Sequence, residues 1–448
     1  MKYVRRFLIV VIILMLLSAA GLMLQQRNLL PFGPPAPGAA VTPAPTAASE
    51  PESTPVPTPV PTPEPTPEVT PEPTPEPTPE PTPAPDWPAE QLQLTLAPSD
   101  WEPRLLDGDF MTYADLPGGY TLVLHAEQPI AGLYLVWNDH PQPWTLETPD
   151  GAIECGAQGY MHEYVELPSP AQEVTLRLGG EPAALCDLFA FGTGILPDWV
   201  QRWEPPYEQA DILLFSAHAD DEFIFFGGVI PAYEARGLNV QVAYMTSPYI
   251  GTERFRCHEL LNGLWTAGLH HYPVTTGLRD WVMNTLADAR YYYGEEVFVD
   301  FQVEQIRRFR PQVVLGHDLD GEYGHAVHML SAIALTTAVE AAADPARFSD
   351  SAEKYGAWDT PKFYLHLYGD APTILDYETP LEPFGGRTAY EIALDAYAEH
   401  LSQQHWTFTV YSFDSPMDSH RFGLYRSTVG EDEARNDLME HLSSETEG

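Results

Sequence analysis

From about residue 201 the apolar positions alternate between two rhythms. Ile212–Phe215 is a short continuous apolar run, the pattern of a strand buried on both faces. A helix-like stretch follows to Arg236, and Gly237 is placed to end it. Val240–Met245 reads as a second strand. Val299, Val303 and Ile306 recur at helical spacing, Pro311 closes that helix, and Val313–Leu315 reads as the next strand. The alternation predicts an α/β fold over residues 201–448, with a Rossmann-like, doubly wound and mostly parallel sheet.

Upstream the rhythm is different. Between residues 87 and 200, β-prone runs at Thr121–His125, Leu133–Trp137, Tyr164–Leu167, Val174–Leu178 and Leu185–Phe191 are punctuated by Pro, Gly, Asn and Asp. That spacing predicts a small β-sandwich of galactose-binding-like or jelly-roll type. Trp137, Trp144 and Tyr160 fit its core better than a sugar-stacking face. Residues 31–86 hold 22 of the 46 prolines, largely in a TPEP-type repeat. Such spacing forbids helices and sheet ladders and favours polyproline II, so this stretch reads as a disordered, stiff spacer. Within residues 1–30, Lys2, Arg5 and Arg6 precede an apolar run from Phe7 to Leu24 that is long enough to cross a bilayer. The run reads as a signal anchor, with a cleaved signal peptide as the alternative. The expected location is the extracellular face of the cell membrane, or outside the cell, with the membrane a partner through this segment.

Charge narrows the partners. The chain has 22 basic against 64 acidic residues, a formal net charge of −42. A nucleic-acid partner is excluded in this reading, because phosphate backbones demand clustered Lys and Arg. Three cysteines without a CxxC pair exclude a thiolate zinc cluster. Export would allow Cys155 and Cys186 to pair and leave Cys257 single.

Two clusters carry chemistry. Ala217-His218-Ala219-Asp220-Asp221-Glu222 follows directly on the first strand. A catalytic divalent ion takes a few nitrogen and oxygen ligands and keeps a position open for water. His218 and Asp221, three residues apart, can converge on one ion and leave Asp220 as a base. A solvated loop or helix N-cap would account for the same residues. The second cluster, His317 to His328, also follows a strand. His325 and His328 lie three apart at the start of an expected helix, so one can bind the ion while the other faces substrate. Arg279-Asp280-Trp281 is a further candidate for a substrate loop.

In these motifs the chain resembles the PIG-L/LmbE-like zinc-dependent N-deacetylases. Their AHPDDE signature stands here as AHADDE, their Arg-x-x-Glu pattern as Arg256-Cys257-His258-Glu259, and their later signature as a GEYGH stretch leading to His328. The resemblance covers roughly residues 208–448. It implies His218, Asp221 and His328 as metal ligands, with Zn2+ as the cofactor (another divalent metal being compatible). It further implies Asp220 as general base, His325 as the group that stabilises the oxyanion or protonates the leaving amine, and Arg256 and Tyr323 as substrate contacts. The chain departs from the family at Ala219, where proline is usual, and in reading His325-Ala326-Val327-His328 where HPDH is frequent. The implied activity is removal of the N-acetyl group from a GlcNAc-type sugar in a surface glycan or glycoconjugate. The alternatives are an amidase acting on another N-acylated amine and a non-catalytic glycan-binding surface protein.

Overall fold

The computed structural model describes residues 86–248 and 254–442. The apolar N-terminal run and the proline-rich spacer lie outside the described residues.

The first part is all antiparallel. It comprises β1 (Gln91–Leu92), β2 (Thr95–Ala97), β3 (Ala114–Leu116), β4 (Thr121–Trp137), β5 (Trp144–Thr148), β6 (Gly151–Cys155), β7 (His162–Leu178) and β8 (Ala183–Phe191). Hydrogen bonds join all eight in one network, ordered β1-β8-β4-β7-β5-β6, with β2 on β4 and β3 on β8. Four of the expected strands are halves of two long ones. Pro129 in β4 and Pro168 and Pro170 in β7 fall where the β4–β7 register shifts, around Ile130 and Ala171. Proline lacks a ladder donor, so it is tolerated at such interruptions. Leu122, Leu124, Leu133, Leu135 and Leu176 fill the core beside Trp137 and Trp144. Both indoles donate to Glu163 Oε2, at 3.2 and 2.9 Å, so they are core residues. All three cysteines are buried free thiols.

The second part is α/β. Its sheet contains β9 (Ile212–Ser216), β10 (Val240–Tyr244), β11 (Val274–Thr275), β12 (Val313–Gly316), β13 (Lys362–His366), β14 (Thr373–Ile374) and, past a two-residue hairpin of β15 (Pro380–Leu381) with β16 (Arg387–Thr388), β17 (Arg421–Ser427). The order is β11-β10-β9-β12-β13-β17-β14. The first five strands are parallel, and β17 runs antiparallel to both neighbours. Successive strand residues feed two cores. Ile212, Leu214, Val240, Val242, Val313 and Leu315 pack on the side of α2 (Val229–Glu234), α3 (Phe255–Thr266) and α7 (Ala389–Ala398). Leu213, Phe215, Ala243 and Val314 pack on the side of α4 (Leu286–Tyr293), α5 (Glu295–Phe309) and α6 (Ala326–Ala343). Burial on both faces explains why these strands read as continuous apolar runs. Helix α6 is long and apolar enough to cross a membrane, but it is mostly buried in this core.

The helix expected to run to Arg236 is broken into α1 (Asp221–Ile224) and α2. Gly227 lies between them at φ +55°, and a Cβ there would fall 2.5 Å from Ser419 Oγ. Only glycine lets the backbone approach so closely. Strands β9 and β12 are neighbours, yet β9 leads on to β10 and β12 to β13, on opposite sides. Their following loops therefore diverge and leave a crevice at the carboxyl ends of the strands.

Candidate metal centre and its cleft

Both sequence clusters meet at that crevice. Asp221 Oδ2 lies 2.9 Å from His218 Nδ1 and 3.1 Å from His328 Nε2, and those two nitrogens are 3.2 Å apart. Tetrahedral ligation with bonds of about 2.1 Å requires donor separations of roughly 3.4 Å. The three atoms are thus arranged as one face of a coordination shell. His325 forms a looser group with the same two histidines, with donor atoms within 4.8 Å. His317 also approaches Asp221, at 3.8 Å. Its Nε2, however, accepts the Ala217 N–H at 2.9 Å and its Nδ1 faces Glu322. With that lone pair in use, His317 is a support and not a ligand.

Glu322 ties the cluster together. Its Oε2 lies 2.7 Å from His328 Nδ1 and 3.0 Å from His317 Nδ1, and its Oε1 lies 2.7 Å from His366 Nδ1. A carboxylate at Nδ1 fixes the proton there and turns the Nε2 lone pair of His328 toward Asp221. Burial alone would raise the Glu322 and Asp221 carboxyls. The surrounding imidazoles outweigh it and hold both well below the usual range. His328 is the counterpart: burial would lower it, but Asp221 and Glu322 push it up to about 10. A cation bound there would displace the Nε2 proton of His328 and free the lone pair that faces Asp221.

Asp220 is adjacent in sequence to Asp221 but faces other groups. Its backbone has φ 117°, a conformation that costs a non-glycine residue about 1–3 kcal/mol. Three hydrogen bonds support this turn: Ser216 Oγ to the His218 carbonyl, Asp220 N–H to Glu222 Oε2, and Arg256 Nη2 to the Ala219 carbonyl. Burial, reinforced by the charge on Asp221, pushes the Asp220 carboxyl up to about 7. A base in that range combines an available ionised form with useful proton affinity at neutral pH.

His218, Asp220, Asp221, Arg256, Tyr323 and His325 line one open cleft of about 140 Å³, and His328 is buried. The structure thus brings all seven sequence-derived site residues together, with two qualifications. Arg256 is engaged by Asp280 at 2.8 Å and by the Ala219 carbonyl at 2.7 Å, so it chiefly braces the turn. His325 is pushed down to about 2 by burial and by His328 and His218, so it is a neutral hydrogen-bonding group and not a cation. Asp280 and Trp281 of the candidate loop do line the cleft, joined by Trp406 and Phe408. Glu322, His317 and His366 received no role from the sequence. The available signal was position: His317 follows β12 and His366 ends β13, both at carboxyl ends of parallel strands.

Residues 213–340 match the family model PIG-L, described as GlcNAc-PI de-N-acetylase. Among relatives, the 1D-myo-inositol 2-acetamido-2-deoxy-alpha-D-glucopyranoside deacetylase 1 of Catenulispora acidiphila is 30% identical over 179 residues, 34% of this chain and 54% of that protein. The corresponding deacetylase of Rhodococcus erythropolis is 32% identical over 178 residues, 34% of this chain and 59% of that protein. The chain therefore spans little more than half the length of these relatives. The solved N,N'-diacetylchitobiose deacetylase from Pyrococcus horikoshii aligns over 44% of this chain and 72% of its own at 22% identity, with a TM-score of 0.34, too slight a likeness to bear on the chemistry. The cluster at the ends of β9 and β12 falls within residues 213–340, the stretch over which the chain is similar to the PIG-L family.

Proposed function

We propose that this protein is a metal-dependent hydrolase that removes the acetyl group from an N-acetylglucosamine-type sugar. The reading is carried by the donor triangle of His218, Asp221 and His328 beside the buried carboxyl of Asp220. Two imidazole nitrogens and one carboxylate suit zinc, and they suit iron or manganese as well. When bound, such an ion supplies polarisation of the acyl carbonyl and a lowered pKa for water. Asp220 removes the proton of the attacking water, and the neutral His325 donates its N–H to the developing oxyanion. The proton held by Asp220 then passes to the departing nitrogen, so amide and water become acetate and amine. Tyr323, Trp281 and Trp406 offer ring faces to a pyranose at the mouth.

The parallel order β11-β10-β9-β12-β13, with helices on both faces, supports reading the domain as Rossmann-like and doubly wound. The apolar run and proline-rich spacer support a tether that carries the domain away from the outer face of the membrane, toward surface glycans. The test is acetate release from N-acetylglucosamine oligosaccharides by the full chain, with bound metal measured in parallel. Asp220→Ala should retain its metal and lose at least about 100-fold in rate. Unchanged activity in that variant, or a wild-type protein without stoichiometric metal, would overturn the mechanism.

A further inference from the structure

A second cleft, of about 200 Å³, lies at the seam between the antiparallel part and the α/β domain. Its walls are aromatic. Trp199 is 45% exposed and is held by edge-on contacts with Phe189 and Tyr134, at ring-centroid distances of 5.1 and 5.7 Å. Phe110 and Trp265 complete the wall. Two carboxylates face the same space, Asp187 from β8 and Glu399 just past α7. Asp187 is only 2% exposed. Its Oδ1 accepts the Gly108 N–H at 2.9 Å, which leaves Oδ2 for the cleft. Among the described residues no Lys or Arg lines the cleft or forms an ion pair with either carboxylate; Glu399 is hydrogen-bonded by Asn262 and lies in the field of His400, so Asp187 is the carboxylate that lacks a cation. Asp107 and Asp109 lie close enough to add their negative field at Asp187.

The floor supplies no positive charge. Tyr134 Oη lies 2.9 Å from His162 Nδ1, and His162 Nε2 lies 2.9 Å from His258 Nδ1. Burial keeps both imidazoles neutral, pushing His258 down to about 3. Burying carboxylates without a counter-ion is costly unless a ligand supplies the charge. Aromatic faces with carboxylates and no protein cation are the chemistry that binds an organic ammonium. Gln201 and Asn262 lie on the same wall, with their amides engaged by each other at 2.7 Å, by Trp203 Nε1 and by Glu399.

We propose that this seam cleft binds a saccharide bearing a primary ammonium group, with Trp199 stacking on the sugar and Asp187 pairing with the amine. The choice of an amino sugar among ammonium ligands rests on the proposed de-N-acetylation, which would leave that group on its product. The cleft would then hold the enzyme on glycan already partly deacetylated.

The experiment is calorimetric titration of the full chain at pH 7 with a glucosamine tetrasaccharide and, separately, with its fully N-acetylated counterpart. The free-amine tetrasaccharide should bind at least about tenfold more tightly. Asp187→Asn, which keeps the side-chain shape, and Trp199→Ala should each weaken it about tenfold or more. Equal affinity for both tetrasaccharides would overturn the charge assignment. Binding undiminished in both variants would remove the cleft from the interaction. Tight binding that depends on Asp187, in a protein that releases no acetate, would uphold the cleft and count against the proposed activity alone.

Discussion

Glu322 Oε2 lies 2.7 Å from His328 Nδ1, on the side of the imidazole away from Asp221. Ligand histidines commonly donate their second nitrogen in this way, and loss of the partner costs about 10–100-fold in metal affinity. Glu322→Gln should therefore bind the ion about 10–100-fold more weakly in competition with a chelator. Retained near-ultraviolet circular dichroism would separate this loss from unfolding. Unchanged affinity would mean that His328 is oriented by its packing alone.

Trp406 stands 56% exposed at the mouth of the catalytic cleft. A stacked ring contributes about 0.5–1.5 kcal/mol. Trp406→Ala should raise KM for an N-acetylated tetrasaccharide by roughly 2- to 10-fold, with a smaller change for the monosaccharide and little change in kcat. An equal effect on both substrates would place Trp406 outside the extended glycan contact.

Lys362 and Asp432 form a fully buried pair at 2.6 Å, with the Lys362 ammonium also on the Glu440 carbonyl at 3.0 Å and the Tyr364 hydroxyl on Asp432. Removing one partner strands a charge in the interior and costs about 3–5 kcal/mol. Asp432→Ala should lower the urea midpoint accordingly. A loss under about 1 kcal/mol would show that water reaches the lysine.

Asp187 has a pH signature of its own. Burial pushes its carboxyl up to about 6, against about 4 in an unfolded chain. Between those values the native state holds more protons than the unfolded state, so this group's contribution to stability falls as pH rises through the window. Above it the penalty is complete, about 1–2 kcal/mol after allowing for screening of a cleft-lining group. Asp187→Asn should therefore be more stable than wild type in thermal melts at pH 7, and the difference should shrink toward pH 4. A constant difference across that range would refute the buried charge.

The sequence by itself determined the strand and helix rhythm, because burial on both faces demands continuous apolar runs and amphipathic helices demand a 3.6-residue repeat. It also determined that His218, Asp220 and Asp221 sit just past a strand and that His325 and His328 lie at the start of a helix. Only the tertiary structure decided which histidines can bind metal. The Ala217 N–H takes His317, and Glu322 orients His328 together with His366 from 44 residues away. It likewise committed Arg256 to Asp280, merged four expected strands into β4 and β7, and brought Asp187 and Glu399 to one cleft. Periodicity reports which face of an element is buried. Contacts between residues distant in the chain depend on how the strands are ordered and how the loops close, and no local pattern encodes them.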